Sequence, residues 1–226
     1  MPKLYAVGDI HGQRAMLDLL IERVPFDAED EIVFIGDFID RGADSRGVVD
    51  RVLDFRLRYP RTVCLLGNHE DMLLDYVKDE RKYDSGIYLM NGGYATLESY
   101  GIDPREGPPS FPPLHMDFFE SLQYRHEAGG FLFVHAGFRP GVPLEEQSAR
   151  DMLWIRHEFI DSKEDFGVPV VFGHTPLPEV LDDLPRCLGI DTGAAYGHNL
   201  TCVQLEGAKV VETYQVHLED VEGGGA

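Results

Sequence analysis

The first seventy residues alternate short apolar runs with amphipathic stretches, and each apolar run ends at a glycine followed by metal-binding side-chain types. The runs are Leu4–Val7, Ile32–Ile35 and Val63–Leu66, the last extending back to Thr62. Apolar runs this short, bounded by glycine, read as buried strands. Between them, Gln13–Arg23 carries Met16, Leu17, Leu19 and Leu20 at helical spacing, with Val24 just beyond. Ser45–Arg58 does the same with Val48, Val49, Val52, Leu53 and Leu57. A β-α-β-α-β alternation predicts a largely parallel sheet with flanking helices. The three loops are Gly8-Asp9-Ile10-His11-Gly12, Gly36-Asp37-Phe38-Ile39-Asp40-Arg41-Gly42 and Gly67-Asn68-His69-Glu70. They leave the sheet at the strand exits, the edge where open α/β sheets bind ligands.

Asp71 to about Leu122 breaks this rhythm. The stretch is helix-prone, then carries Asn91-Gly92-Gly93, then Pro104, Pro108, Pro109, Pro112 and Pro113. It reads as a cap inserted after the third loop. Strands resume with Tyr124–Glu127 and Phe131–Val134 around Ala128-Gly129-Gly130, a hairpin pattern. A helix over Ala149–Phe159 and strands over Val168–Phe172, Arg186–Ile190, Leu200–Leu205 and Lys209–Tyr214 are predicted next, with a turn at Glu206-Gly207. One domain is expected over 1–218, with the cap at about 71–122 and a disordered tail over 219–226.

Net charge is −20 at pH 7, from 40 acidic and 20 basic residues. That balance opposes nonspecific nucleic-acid binding, which needs a basic surface. The apolar runs are far too short to span a membrane, and the N-terminus has no signal-like segment. Cys64, Cys187 and Cys202 are widely spaced without a C-x-x-C pattern. They read as reduced, mostly buried thiols, which suits a cytoplasmic protein.

Two more histidines follow strand-like runs: His135 after Phe131–Val134, and His174 after Val170-Val171-Phe172-Gly173. One Asp or His after a strand is ordinarily a turn residue. Five strand-exit loops carrying such side chains together point to a metal site. A divalent pair needs ligands from several loops and a shared carboxylate, and Asp9, His11, Asp37, Asn68, His135 and His174 supply them. Mixed carboxylate and imidazole donors suit Mn, Fe or Zn, whereas Mg or Ca favours all-oxygen sites. Glu70 is read as supporting its loop rather than binding metal. Asp191 either orients a metal histidine or forms a turn. Tyr196 and His198 either line a substrate groove or lie in a surface loop.

These motifs, in this order, resemble the signature of the phosphoprotein phosphatase family of metallophosphoesterases. His135 in His-Ala-Gly and His174 in Gly-His-Thr-Pro match its two later metal histidines. The resemblance runs from about residue 4 to about 205, and the length and cap look like the bacterial and phage branch. It implies a calcineurin-like fold, a two-sheet β-sandwich flanked by helices. It implies that Asp9, His11 and Asp37 bind one metal, and that Asp37 bridges to a second held by Asn68, His135 and His174. Arg41 would bind the substrate phosphate, and His69, oriented by Asp40, would act as general acid. Arg156, in Leu153-Trp154-Ile155-Arg156, is similar to the second phosphate-binding arginine, with an exposed helix arginine as the alternative.

The chemistry fits the residues. Two cations about 3.5–4 Å apart neutralise phosphate oxygens and activate a bridging hydroxide for in-line attack, without a phosphoenzyme. Guanidinium forks hold the remaining oxygens, and no Cys-x5-Arg nucleophile loop is present. The expected activity is a serine/threonine protein phosphatase with two divalent ions, Mn first and Fe or Zn next. The alternative is a symmetrical diadenosine tetraphosphate hydrolase. Phosphotyrosine or broad phosphomonoester hydrolysis, a nuclease and a non-enzymatic binding module rank lower. The expected partner is therefore a phosphorylated protein or a small phosphoester, not nucleic acid or membrane.

Overall fold

A computed structural model of the chain describes residues 2–80, 82–83, 85–105 and 109–222. Strand β1 (Leu4–Val7) leads through helix α1 (Arg14–Arg23) to β2 (Glu31–Phe34), and through α2 (Ser45–Arg58) to β3 (Thr62–Cys64). Helices α3 (Asn68–Lys78), α4 (Ser85–Tyr88), α5 (Tyr94–Tyr100) and α6 (Pro113–Glu120) follow, with a π-turn over Leu89–Gly93. The second half contains β4 (Arg125–Ala128), β5 (Phe131–Val134), α7 (Ala149–Trp154), α8 (His157–Ile160) and β6 (Val170–Phe172). It ends with β7 (Leu181–Asp183), β8 (Cys187–Gly189), β9 (Asn199–Glu206), β10 (Lys209–His217) and α9 (Leu218–Glu222).

The strands form two five-stranded sheets, in the orders β10-β9-β1-β2-β3 and β4-β5-β6-β8-β7. The expected parallel pairing holds for β1, β2 and β3, and again for β5, β6 and β8. Antiparallel strands complete both sheets, so each is mixed.

Side-chain alternation builds the layers. Leu4, Ala6, Val33 and Ile35 of the first sheet meet Phe131, Phe133, Val171 and Leu188 of the second in one buried cluster. Tyr5, Val7, Ile32 and Phe34 point the other way, onto Met16, Leu17, Leu20, Val48, Val49 and Val52 of α1 and α2. Leu132, Val134, Val170 and Phe172 pack with Ile155 and Phe159 beyond the second sheet. Both faces are covered over β1, β2, β5, β6 and β8, which explains why those strands read as continuous apolar runs, whereas the edge strands β4, β7 and β10 are only partly covered. Each buried side chain contributes about 1.5–3 kcal/mol.

Several expectations are corrected. The third strand stops at Cys64, because Leu65 forms only an isolated bridge to Gln123. The Gly67-Asn68-His69-Glu70 run is the cap and first turn of α3 rather than a loop. The helix predicted over Ala149–Phe159 breaks at Ile155, which is extended (ψ 145°) and buried in the third cluster. The tail does not begin at 219: α9 packs Leu218 and Val221 against the first cluster, and Arg23 bonds Asp220 at 2.9 Å. Residues 223–226 and Pro108 lie outside the described residues. Strand β7 went unpredicted, since Leu-Asp-Asp has no strand pattern. The 71–122 segment is mainly helical and buries Tyr88, Leu97, Phe118 and Phe119 in the first cluster.

Candidate metal centre

Backbone hydrogen bonds join the three loops into one body. The Ile10 and His11 amides both donate to the Asp37 carbonyl, at 3.0 and 2.8 Å, and Gly12 N donates to Phe38 O at 2.9 Å. From the first turn of α3, the buried Glu70 carboxylate accepts from Asp37 N (3.0 Å), Phe38 N (2.8 Å), Ile39 N (3.2 Å) and Gly67 N (3.1 Å). Glu70 therefore supports the loops, as expected. Those bonds hold an unusual backbone. His11, Asp37, Asp40, Arg41 and His174 have φ of 48°, 52°, 72°, 69° and 64°. Left-handed conformations cost of order 1–3 kcal/mol at non-glycine residues and persist only where the surroundings impose them. Two glycines allow close approach: a Cβ at Gly67 or at Gly173 would lie 2.1 Å from Asp37 Oδ1 or Asp9 Oδ1, respectively.

Asp37 is the hub. It shares one ligand-sized group with His11 and His69, and another with His135 and His174, with the candidate ligand atoms in each group within 4.8 Å of one another. His11 Nδ1 donates to Ile39 O at 2.9 Å, and His135 Nδ1 donates to Ile35 O at 3.0 Å. Those bonds fix the tautomer of each neutral ring and leave Nε2 as a lone pair. His11 Nε2 lies 3.3 Å from Asp37 Oδ2. His135 Nε2 lies 3.5 Å from Asp37 Oδ1 and 2.9 Å from Asn68 Oδ1, which is also 2.8 Å from His174 Nδ1. His11 Nε2 accepts from Arg41 Nη1, but His135 Nε2 faces Asn68 Oδ1 and Asp37 Oδ1 acceptor to acceptor, and such contacts repel unless a cation sits among them. Buried Asp9 Oδ1 and His174 Nε2 have no hydrogen-bond partner. The donor set fits divalent metal.

Asp9 is nearby but joins neither group; its Oδ2 accepts from His174 N at 3.0 Å. His69 enters the first group, yet its Nδ1 is held by Asp40 Oδ2 at 2.7 Å. Asp40 in turn accepts from Thr96 Oγ1 (2.6 Å) and Tyr88 OH (3.3 Å).

Burial and neighbouring charge tune these groups in opposite directions. Burial lowers His11 to about 3 and His174 to about 2. Burial lowers His135 as well. All three are thus neutral, as metal ligands must be. Burial pushes Asp37 up, but the surrounding imidazoles outweigh it and hold the carboxyl below the usual range. Burial, then Asp191 and Asp37, push Asp9 well up. His69 is the exception: burial lowers it, but Asp37 and the Asp40 hydrogen bond outweigh that and raise it.

The family model for calcineurin-like phosphoesterases matches residues 2–215. The chain is also 30% identical over 210 residues to serine/threonine-protein phosphatase 1 of Salmonella typhimurium, covering 90% of this chain and 92% of that protein. The chain belongs to the phosphoprotein phosphatase family of calcineurin-like metallophosphoesterases. The crystal structure of a putative diadenosine tetraphosphatase superposes with a TM-score of 0.70 at 25% identity, over 95% of this chain and 96% of that one. A Saccharomyces cerevisiae protein serine/threonine phosphatase similar to human PP5 shares the fold, with a TM-score of 0.63 at 15% identity, over 96% of this chain and 80% of that one.

In this metallophosphoesterase two arginines flank the centre. Arg41 Nη1 lies 3.1 Å from His11 Nε2, and the exposed Tyr196 ring stacks on its guanidinium at 5.4 Å. Arg156 is exposed and lies in the α7–α8 break, with φ −130° and ψ −107°, rather than inside a helix. Its charge reaches His135, His174 and Asp191. Asp191 accepts from Gly193 N at 3.0 Å, a turn contact. The exposed His198 packs beside Gly193. Sequence reasoning missed Thr96, Tyr88 and Ser45, which hold Asp40 and its amide. They are ordinary helix residues until the fold brings α2, α4 and α5 against the second loop.

Proposed function

We propose that the chain hydrolyses phosphoserine and phosphothreonine in proteins with a two-metal centre, Mn being the preferred ion. The convergence of buried acceptors on Asp37 carries the metal part of the reading. The 30% identity to a serine/threonine phosphatase along 90% of the chain supports the substrate class. Asp9, His11 and Asp37 would hold one ion. Asp37, Asn68, His135 and His174 would hold the other. Two divalent ions there neutralise phosphate charge and supply an activated nucleophile. Arg41 and Arg156 bind the non-bridging oxygens through their planar forks. His69 Nε2, on a ring kept protonated by Asp40, gives its proton to the departing alkoxide.

Three buried, unpaired cysteines favour a reducing cytoplasm. Among the described residues no helix is long and apolar enough to cross a membrane. The resemblance to a putative diadenosine tetraphosphatase supports a second reading, cleavage of that dinucleotide to ADP. A Mn-supplemented panel of phosphopeptides, p-nitrophenyl phosphate and diadenosine tetraphosphate separates them. The proposal expects phosphopeptides to give the highest kcat/KM. ADP release with negligible phosphopeptide turnover would reverse the order.

A further inference from the structure

Trp154 is the chain's single tryptophan and the last residue of α7. Its ring stands edge-on to His174, with centroids 5.9 Å apart at 80°. Its Nε1–H donates to the Tyr83 hydroxyl at 3.0 Å, and that hydroxyl donates to Asp71 Oδ2 at 2.6 Å. Asp71 is buried in the first turns of α3, the helix that begins with Asn68 and His69. Lys82 Nζ neutralises it, 2.7 Å from Oδ1. Burial, then the Asp71 bond, raise the Tyr83 pKa, so its hydroxyl keeps the proton it donates.

This chain of contacts ends at the metal-facing histidine with the least internal restraint. His174 has φ 64°, Nδ1 beside Asn68 and no partner on Nε2. Trp154 meets one side of that ring and His135, 5.1 Å away, another. Trp154 itself is only half-buried. Its ring packs against the first cluster and the Tyr83 ring, and the bond from Nε1, which rests on a charge-assisted one, fixes its polar edge. Donor and acceptor capacity at the Tyr83 oxygen are both used, which leaves little freedom for the indole.

We propose that Asp71, Tyr83 and Trp154 form a positioning relay that sets the His174 ring and, through it, the affinity of one metal site. The proposal rests on His174 being a ligand, as argued above. The three residues touch no substrate and act only through His174.

Trp154 provides the readout. Mn added to metal-free protein quenches its emission as the site beside His174 fills, and calorimetry counts the sites. Tyr83→Phe removes the acceptor while keeping the ring. It is expected to weaken one Mn site by about 10–100-fold, the range for lost outer partners of metal ligands, and to leave the other site unchanged. Asp71→Asn keeps an acceptor for the hydroxyl but loses the charge, and gives a smaller shift in the same direction. His174→Ala separates the two claims. If it binds Mn as wild type does, His174 is not a ligand and the relay falls with that reading. If it loses a site while Tyr83→Phe and Asp71→Asn keep both sites at wild-type affinity, His174 stands as a ligand and the relay is refuted.

Discussion

Replacing Glu70 by Gln tests whether the loop framework is what keeps the centre in its left-handed backbone. The carboxylate accepts four buried amides, Phe38 and Ile39 on one oxygen and Asp37 and Gly67 on the other. An amide can serve one pair only; its NH₂ then faces the other two N–H groups. Burial, then the charge of Asp37, push the Glu70 pKa up to about 8, but four N–H donors on its two oxygens leave no room for a carboxyl proton. Two charge-assisted hydrogen bonds are therefore lost, each worth about 1.5–3 kcal/mol, or about 3–6 kcal/mol together. A domain's whole stability is about 5–15 kcal/mol, so the variant folds but is marginal. For a chain of this size, each kcal/mol moves Tm by about 2–4 °C, which predicts a loss of roughly 6–24 °C. Calorimetry on metal-free protein in chelator measures this without any contribution from bound ions. Activity should fall as well, because Asp37 loses the bond that holds its amide. A Tm loss below about 3 °C would refute the reasoning and make the four amides bystanders.

His69→Asn should lower kcat by about 10²–10⁴-fold on phosphopeptides, whose alkoxide needs a proton, and far less on p-nitrophenyl phosphate, whose leaving group does not; steady-state kinetics on both substrates reads the difference. Thr96→Val removes a donor from Asp40 and should lower kcat in the same leaving-group-dependent way, without changing Mn stoichiometry. Asp151 is held below the ordinary carboxylate range, first by its bond to Arg139. Because its folded pKa is depressed, the stability it contributes is present above the ordinary value near 3.9 and is lost as pH falls through the folded pKa. Asp151→Asn should therefore flatten the acid limb of a Tm-against-pH profile while lowering Tm at neutral pH.

The strand exits were legible because their chemistry is local. An apolar run, a glycine and an Asp or His are contiguous, and β1, α1 and α2 fall within a residue of their predicted places. Boundaries governed by tertiary contact were not. Asn68 and His69 look like loop residues, yet Glu70 reaches back to the Gly67 amide and starts a helix there. The Ala149–Phe159 pattern has helical spacing, but burial of Ile155 breaks it and places Arg156 in the gap. The side chains gathered around Asp37 and Asp40 were readable by type. The groups behind them were not, since Thr96 and Tyr88, which hold Asp40, come from a segment whose sequence carries only helix propensity. Left-handed φ at His11, Asp37, Asp40, Arg41 and His174 leaves no mark in residue identity either.

The shared role of Asp37 is tested most directly by metal stoichiometry and phosphatase activity in Asp37→Asn. Wild-type protein should bind two divalent ions per chain, the number a bridged centre holds. The variant should bind fewer and lose activity by about two orders of magnitude or more. Full metal content with retained turnover in Asp37→Asn would contradict the account.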